Sequence, residues 1–117
     1  MKIISFAWTT EALLQGKKTV TRRDWNDKYA ASFKKGDIVA AWDKCPRCKG
    51  AKKIGEVRLT KAPYKQWLHE VTDADEKKEG CLWGSGKAYR EMMEKKLGGD
   101  KEVWVIEFEF NKYGALR

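Results

Sequence analysis

The sequence predicts a single α+β domain, a small and mainly antiparallel β-barrel with short helices at its rim. Strand-like segments open the chain, dominate its middle and close it, whereas the helical segments between them are short. The 117 residues leave room for one domain only, which covers residues 1–117. A chain of this length also buries a core that needs no disulfide to fold.

The first half of the chain predicts three strands, because apolar and β-branched residues cluster in three short runs. These runs cover residues 2–6, 19–21 and 38–42. A short helix is expected after the first run, with Thr9 or Thr10 as its N-cap and a glycine at its end. Residues 24–33 are ambiguous and favour one helical turn that directs Trp25 and Tyr29 inward.

The second half predicts two strands and three short helices. The strands are expected over residues 54–60 and 103–110. Pro63 opens a short helical stretch, Thr72 starts a helix that Gly80 ends, and Ser85 caps a third helix. The polar, basic residues 43–53 form a loop between two strands. In the last strand, the alternation predicts one deeply buried face made of Trp104, Ile106, Phe108 and Phe110.

The chain carries 25 Lys and Arg residues against 17 Asp and Glu residues, a formal net charge of +8. This excess favours anionic partners such as nucleic acid or nucleotides, although a lysine-rich, solvated surface explains it equally well. We expect no membrane partner, because the longest apolar run, residues 103–106, is far too short to span a bilayer. The sequence shows no sign of an obligate protein partner.

The three cysteines predict a reducing, cytoplasmic location, because they cannot all pair within one chain and residues 1–6 lack the architecture of a signal peptide. Cys45 and Cys48 have the spacing of half a zinc site, which Cys81 and His69 could complete. A loop with two free thiols is the alternative and the default, since no second paired motif exists. We therefore predict no bound metal and no other cofactor.

The densest group of functional side chains follows the first predicted helix and combines four cations with two threonines. It reads Gly16-Lys17-Lys18-Thr19-Val20-Thr21-Arg22-Arg23. This pattern resembles the signature of the ASCH domain family. Two further segments resemble landmarks of that family in the same order: Lys35-Gly36-Asp37 before an apolar strand, and the acidic stretch from Thr72 to Cys81 with its Glu79-Gly80. The resemblance covers nearly the whole chain and implies a PUA-like β-barrel with a link to RNA.

The resemblance also implies an activity. Some bacterial ASCH proteins similar to this one are amidohydrolases that release the acyl group from N4-acetylcytidine through a lysine, a threonine and a glutamate. By motif position these are Lys18, Thr21 and Glu79, which makes them the candidate catalytic residues. The candidate substrate-binding residues are Lys17, Arg22, Arg23 and Trp25. The implied partner is a modified pyrimidine nucleoside or RNA.

The chemistry of amide hydrolysis gives each catalytic candidate a role. Thr21 would be the nucleophile, and Lys18 would be its base if burial or neighbouring cations lower the pKa of its amine. Glu79, at the negative end of its helix, is expected to hold a proton and to donate it to the cytosine ring or the leaving amine. A regular strand would send Lys18 and Thr21 to opposite faces, so Lys18 must lie in the turn before the strand or next to a bulge.

Other interpretations of these residues remain open. Thr19 and Thr21 are also ordinary strand formers, and Lys18 and Glu79 are common on surfaces. A non-catalytic RNA-binding ASCH module, or a ribonuclease, would use the same scaffold. Its loop lysines would contact phosphates while a base stacks on Trp25, Trp42 or Trp83. The stretch at residues 84–87 lacks the first glycine and the final Ser or Thr of a phosphate-binding loop, so we predict no such loop there.

Overall fold

The computed structural model of the protein describes residues 2–112, in which six strands are joined by short helices. The strands are β1 (Ile3–Ser5), β2 (Val20–Arg23), β3 (Ile38–Trp42), β4 (Lys53–Leu59), β5 (Tyr64–Trp67) and β6 (Glu102–Asn111). The α-helices are α1 (Thr10–Leu14), α2 (Asp27–Ala31), α3 (Asp73–Lys78) and α4 (Gly86–Leu97). Short 3-10 helices cover Ala7–Thr9 and Leu68–Glu70.

The strands form one mixed sheet in the order β1-β3-β4-β6-β2, and β5 also pairs with β6. The β1–β3 pairing is parallel and the other four are antiparallel. Strand β6 joins the sheet together because it pairs with β4, β5 and β2 along its ten residues. The sheet curls into a half-barrel, which confirms the predicted α+β fold with a mainly antiparallel sheet.

Strand β6 is covered on both faces, whereas its alternation predicted one buried face. Ile106 and Phe108 belong to the main core cluster, and Val103 packs in a second cluster with side chains of α4. Val103 and Val105 are fully buried, while Trp104 is only partly buried. The alternation did not indicate this because the second face is covered by α4 and the 3-10 helix at Leu68–Glu70, which pack on it from other parts of the chain.

The capping residues of α3 and α4 are those that the sequence predicts. Thr72 Oγ1 accepts a hydrogen bond from the amide of Asp75 at 3.1 Å, and Ser85 Oγ accepts one from the amide of Ala88 at 3.1 Å. Helix α3 ends just before Gly80, because the φ of 125° at this glycine is outside the helical range. At twelve residues α4 is the longest helix between residues 2 and 112, and no described helix is long and apolar enough to cross a membrane.

The stretch after Pro63 is strand β5, and the predicted helix there is wrong. Tyr64 pairs with Val105 and Trp67 with Glu102 in the antiparallel register of β6. A proline favours the first turn of a helix, but it also suits the start of an edge strand. Pairing with β6 decided between these two outcomes, and this tertiary contact leaves no local trace in the sequence.

Thr9 is the N-cap residue of α1, as the sequence predicts, but its side chain makes no capping hydrogen bond. Thr9 Oγ1 donates a hydrogen bond to the carbonyl of Phe6 at 2.6 Å, and Thr10 Oγ1 donates one to the carbonyl of Ala7 at 2.6 Å. A 3-10 turn directly precedes α1, so the chain is already helical where an extended N-cap was expected.

Candidate functional site

Lys18 lies in the connection between α1 and β2, outside the regular strand. The chain leaves α1 through Gly16, whose φ of 76° reverses its direction, and β2 begins only at Val20. Lys18 forms an isolated antiparallel bridge with Glu79, the residue that follows α3. The geometric condition for bringing Lys18 and Thr21 together is therefore met, and both residues line one cavity.

Glu79 is held between two cations inside the protein. Lys18 Nζ donates a hydrogen bond to Glu79 Oε1 at 2.6 Å, and Arg22 Nη1 donates one to Glu79 Oε2 at 2.8 Å. The three residues are 2–5% exposed. Glu79 thus accepts from two charged donors, whereas the sequence analysis expected it to donate a proton. The helix dipole is therefore only part of the environment of this carboxylate, because Lys18 and Arg22 reach it from another part of the chain.

The surroundings of Lys18 lower the pKa of its amine below the ordinary value of 10.5. Burial is the largest cause, because an ammonium loses its hydration in the interior. Contact with Glu79 opposes this shift, while the nearby guanidinium groups of Arg23 and Arg22 add to it. The condition that the sequence analysis set for a lysine base, burial beside other cations, is present around this residue.

The Thr21 hydroxyl lies beside a second arginine. Arg23 Nε donates a hydrogen bond to Thr21 Oγ1 at 3.1 Å, and Arg23 Nη2 donates one to the carbonyl of Ser5 at 2.7 Å. The Thr21 side chain is buried and faces the same cavity as Lys18. Among the hydrogen bonds of residues 2–112, none joins Thr21 to Lys18, so the two groups meet only across the cavity.

The cavity has a volume of about 280 Å³ and two kinds of wall. One wall carries the polar groups of Lys18, Thr21, Arg22, Arg23 and Glu79. The other wall is aromatic and aliphatic, with Phe6, Trp8, Trp83, Tyr89, Met92 and Met93. It adjoins the polar wall, because the Tyr89 ring lies 5.9 Å from the Arg22 guanidinium and the Phe6 ring 5.7 Å from that of Arg23. Apolar walls with a few convergent polar groups are typical of small-molecule sites, and this volume is at the small end of their range.

Two of the predicted substrate-binding residues lie away from this cavity. Lys17 is exposed and does not line it, because its neighbour Lys18 takes the inward position in the turn. Trp25 packs against the core, where its ring stacks on Phe33 with centroids 4.7 Å apart. Arg22 and Arg23 do line the cavity, although Arg22 is already paired with Glu79. Tyr29, expected to point inward, is 39% exposed.

Trp83 is the one member of the aromatic wall that the sequence indicated as a possible stacking residue. Trp8 was not singled out, and Tyr89 was not expected near the catalytic candidates. The Tyr89 ring lies 5.9 Å from the Arg22 guanidinium, and burial raises the pKa of its hydroxyl. Tyr89 is a buried residue of α4, and the packing of α4 against α3 brings it to Glu79.

The residues of the possible zinc site do not come together. Cys45, Cys48 and Cys81 are free and exposed, and His69 Nδ1 lies 2.6 Å from Asp100 Oδ2. Between residues 2 and 112, no group of three or more His, Cys, Asp or Glu side chains could hold a metal ion.

No protein-family model matches this sequence, and no curated protein matches it. The structure is similar to the crystal structure of protein EF3133 from Enterococcus faecalis V583, of the DUF984 family model, with a TM-score of 0.68. The identity is 16%, over 95% of this chain and 76% of the other. At this identity the likeness concerns the fold alone, and the curled sheet with its short helices is consistent with a PUA-like fold.

Proposed function

We propose that this protein is an ASCH-type amidohydrolase that removes the acyl group from the exocyclic amine of N4-acylcytidines such as N4-acetylcytidine. The observation that carries the proposal is the buried contact of Lys18 Nζ with Glu79 Oε1 at 2.6 Å, in a cavity that the Thr21 residue also lines. The substrate class comes from the resemblance of the three sequence segments to the ASCH family.

The short Lys18–Glu79 contact supplies a route for the proton. Transfer of one proton from Nζ to the carboxylate converts the ion pair into a neutral amine and a carboxylic acid. Burial lowers the pKa of the Lys18 amine and so makes it easier for Lys18 to give up this proton. The amine is then a base, and the acid is a proton donor. This transfer reconciles the donor role first expected for Glu79 with its position between two cations.

Acylation then uses both groups. Lys18 accepts the Thr21 hydroxyl proton, directly or through one water molecule, as the oxygen attacks the acyl carbon. The C–N4 bond breaks, Glu79 gives its proton to the leaving amine, and cytidine departs. Water attacks the Thr21 ester while Glu79 takes a water proton. The C–O bond breaks, Lys18 returns a proton to Thr21, and the carboxylic acid product loses its proton to solvent.

The arginines and the apolar wall support the same reaction. Arg23 Nε already donates to Thr21 Oγ1, so its guanidinium lies next to the oxyanion that forms on attack. Arg22 holds the second oxygen of Glu79 and thereby fixes the carboxylate that faces Lys18. The aromatic and methionine side chains of the cavity offer an apolar surface to a pyrimidine ring.

The direct test is incubation of the purified protein with N4-acetylcytidine. We expect release of cytidine and acetate, with loss of turnover in Lys18→Ala, Thr21→Ala and Glu79→Ala. Lys17→Ala is the matched control, because Lys17 is the exposed neighbour of Lys18 and lies outside the cavity. Circular dichroism of each variant separates loss of chemistry from loss of fold. Absence of turnover by the wild type, or turnover by a folded Thr21→Ala variant, would contradict the proposal.

A non-catalytic RNA-binding module is the second candidate, and the loop between β3 and β4 favours it. That loop presents the exposed cations Lys44, Arg47, Lys49 and Lys52. RNA binding through this loop would weaken steeply with salt, by about 0.7 of a log-log slope unit per phosphate contact. It would be lost in a variant with the four cations replaced by alanine and retained in Thr21→Val. Ribonuclease activity has less support, because the one histidine is 61% exposed at its side chain and does not line the cavity.

A further inference from the structure

Trp8 is the most exposed large apolar residue of the described chain and lies at the edge of the cavity. Its exposed fraction is 65%, and it lines the cavity together with Lys18 and Thr21. Tryptophan buries a large surface when it packs, so a ring that is exposed at the edge of a cavity leaves apolar area available to a ligand.

The backbone around Trp8 is fixed in an uncommon conformation. Ala7 has a φ of 48°, in the left-handed region that residues with a side chain rarely adopt. The strained turn is held by the bonds of the Thr9 hydroxyl and amide to the carbonyl of Phe6, at 2.6 and 2.9 Å. Strain that the surroundings maintain in this way is concentrated at functional positions. Here it presents an exposed ring at a cavity.

Trp83 provides a second wall beside Trp8. The two ring centroids are 5.2 Å apart with an interplanar angle of 79°, so the rings form a corner. Trp83 is held in turn by Tyr89, whose ring centroid lies 4.7 Å away, and by its own amide, which donates to the buried Glu76 Oε2 at 3.0 Å. The corner is therefore rigid on the Trp83 side and open to solvent on the Trp8 side.

We propose that Trp8 is a specificity-determining residue that stacks on the pyrimidine base of the ligand, with Trp83 against the edge of that base. The inference rests on the proposed function for the identity of the base. A planar heteroaromatic ring fits this corner because stacking needs one accessible aromatic face and little rotational freedom. Trp8 is an apolar lining residue, so it binds the base, and the polar side chains of the lining remain available to the acyl group.

The test measures cytidine binding by titration calorimetry, with no turnover required. We expect Trp8→Ala to weaken cytidine binding about 5-fold to 100-fold and Trp8→Phe to restore most of the affinity. In turnover of N4-acetylcytidine, Trp8→Ala should raise KM with little change in kcat, because the ring touches the base and not the reacting carbon. Trp67→Ala is the matched control, since Trp67 is 43% exposed on β5, outside the cavity.

The outcomes distinguish this inference from the proposed function. Cytidine binding that depends on Trp8 without turnover would keep the stacking role and remove the amidohydrolase proposal. Turnover with an unchanged KM in Trp8→Ala, or equal weakening by Trp67→Ala, would remove the stacking role alone. A wild-type protein that neither binds cytidine nor hydrolyses its acetyl derivative overturns both. Trp8 is largely exposed, so its substitution is expected to leave the thermal midpoint unchanged.

Discussion

Lys18 and Glu79 are 61 residues apart in the sequence and form an ion pair that is 97–98% removed from solvent. Such a pair adds little net stability, because the cost of removing two charges from water offsets their attraction. Its position in a cavity beside a threonine hydroxyl therefore favours a chemical role over a structural one. The same arrangement gives predictions about stability, pH dependence and catalysis.

Removing the Glu79 charge should destabilise the protein more than removing the Lys18 charge. Glu79→Gln leaves the buried Lys18 without a carboxylate and leaves Arg22 only its longer contact with Asp75 at 3.4 Å, which should lower the free energy of unfolding by about 3–5 kcal/mol. Lys18→Met keeps the aliphatic stem and leaves Glu79 paired with Arg22, so its loss should be smaller. Urea denaturation of the two variants measures the difference. If Lys18→Met loses as much stability as Glu79→Gln, or more, Arg22 does not balance the charge of Glu79.

The pH dependence of stability should change when Lys18 is replaced. Burial lowers the pKa of Lys18 in the folded protein, so between that pKa and 10.5 the unfolded chain binds the proton more strongly. The Lys18 contribution to stability therefore rises with pH across this window and is flat below it. Unfolding free energies of wild type and Lys18→Met, measured at several pH values up to 10.5, should diverge in favour of wild type. Parallel curves would contradict a depressed pKa.

The same lowered pKa predicts the pH dependence of catalysis. Because the active pair of neutral Lys18 and protonated Glu79 holds one proton, kcat/KM for N4-acetylcytidine should be flat while that proton is present and fall at high pH as it is lost, with an apparent midpoint below 10.5. A profile of kcat/KM against pH, repeated in different buffers to exclude buffer effects, measures this midpoint. A rate that rises with pH through this range, or that stays constant up to pH 10.5, would contradict a Lys18–Glu79 pair that works with one shared proton.

Replacement of Thr21 should show whether its hydroxyl group is the nucleophile. Thr21→Val has nearly the same shape but no hydroxyl, so turnover should fall by about 10³-fold or more. Thr21→Ser keeps an oxygen and should retain measurable turnover. Thr19→Val is the matched control, because Thr19 is exposed two residues earlier and does not line the cavity. Comparable activity in Thr21→Val and Thr19→Val would contradict the assignment.

Gly86 should be required for the packing that brings α4 to the cavity. A Cβ atom at Gly86 would lie 2.7 Å from the carbonyl carbon of Thr72 and 2.8 Å from its oxygen. Backbone cannot yield as a flexible side chain does, so Gly86→Ala should cost about 1–3 kcal/mol in the free energy of unfolding. The exposed neighbour Lys87 provides the control, and Lys87→Ala should change stability by less than about 0.5 kcal/mol. Thermal and urea denaturation compare the two, and equal stabilities would contradict close helix packing at this glycine.

Local signals in the sequence determined the parts of the fold that depend on neighbouring residues. The caps at Thr72 and Ser85, and the glycine that ends α3, follow from hydrogen bonds and φ values within four residues. The type of segment after Pro63 was not determined in this way. Its backbone groups could be satisfied within a helix or by β6, and only the tertiary pairing decided between them.

For the site, the sequence alone determined which side chains were chemically suited, since the motif brought forward Lys18, Thr21 and Glu79. Only the tertiary structure decided which partners each of them has. In the structure, Arg22 donates to the second oxygen of Glu79. Lys17 and Trp25 lie outside the cavity, whereas Trp8 lines it. The physical reason is that contacts across the sheet and between α3 and α4 join residues tens of positions apart, and charge, burial and access to a ligand depend on those contacts.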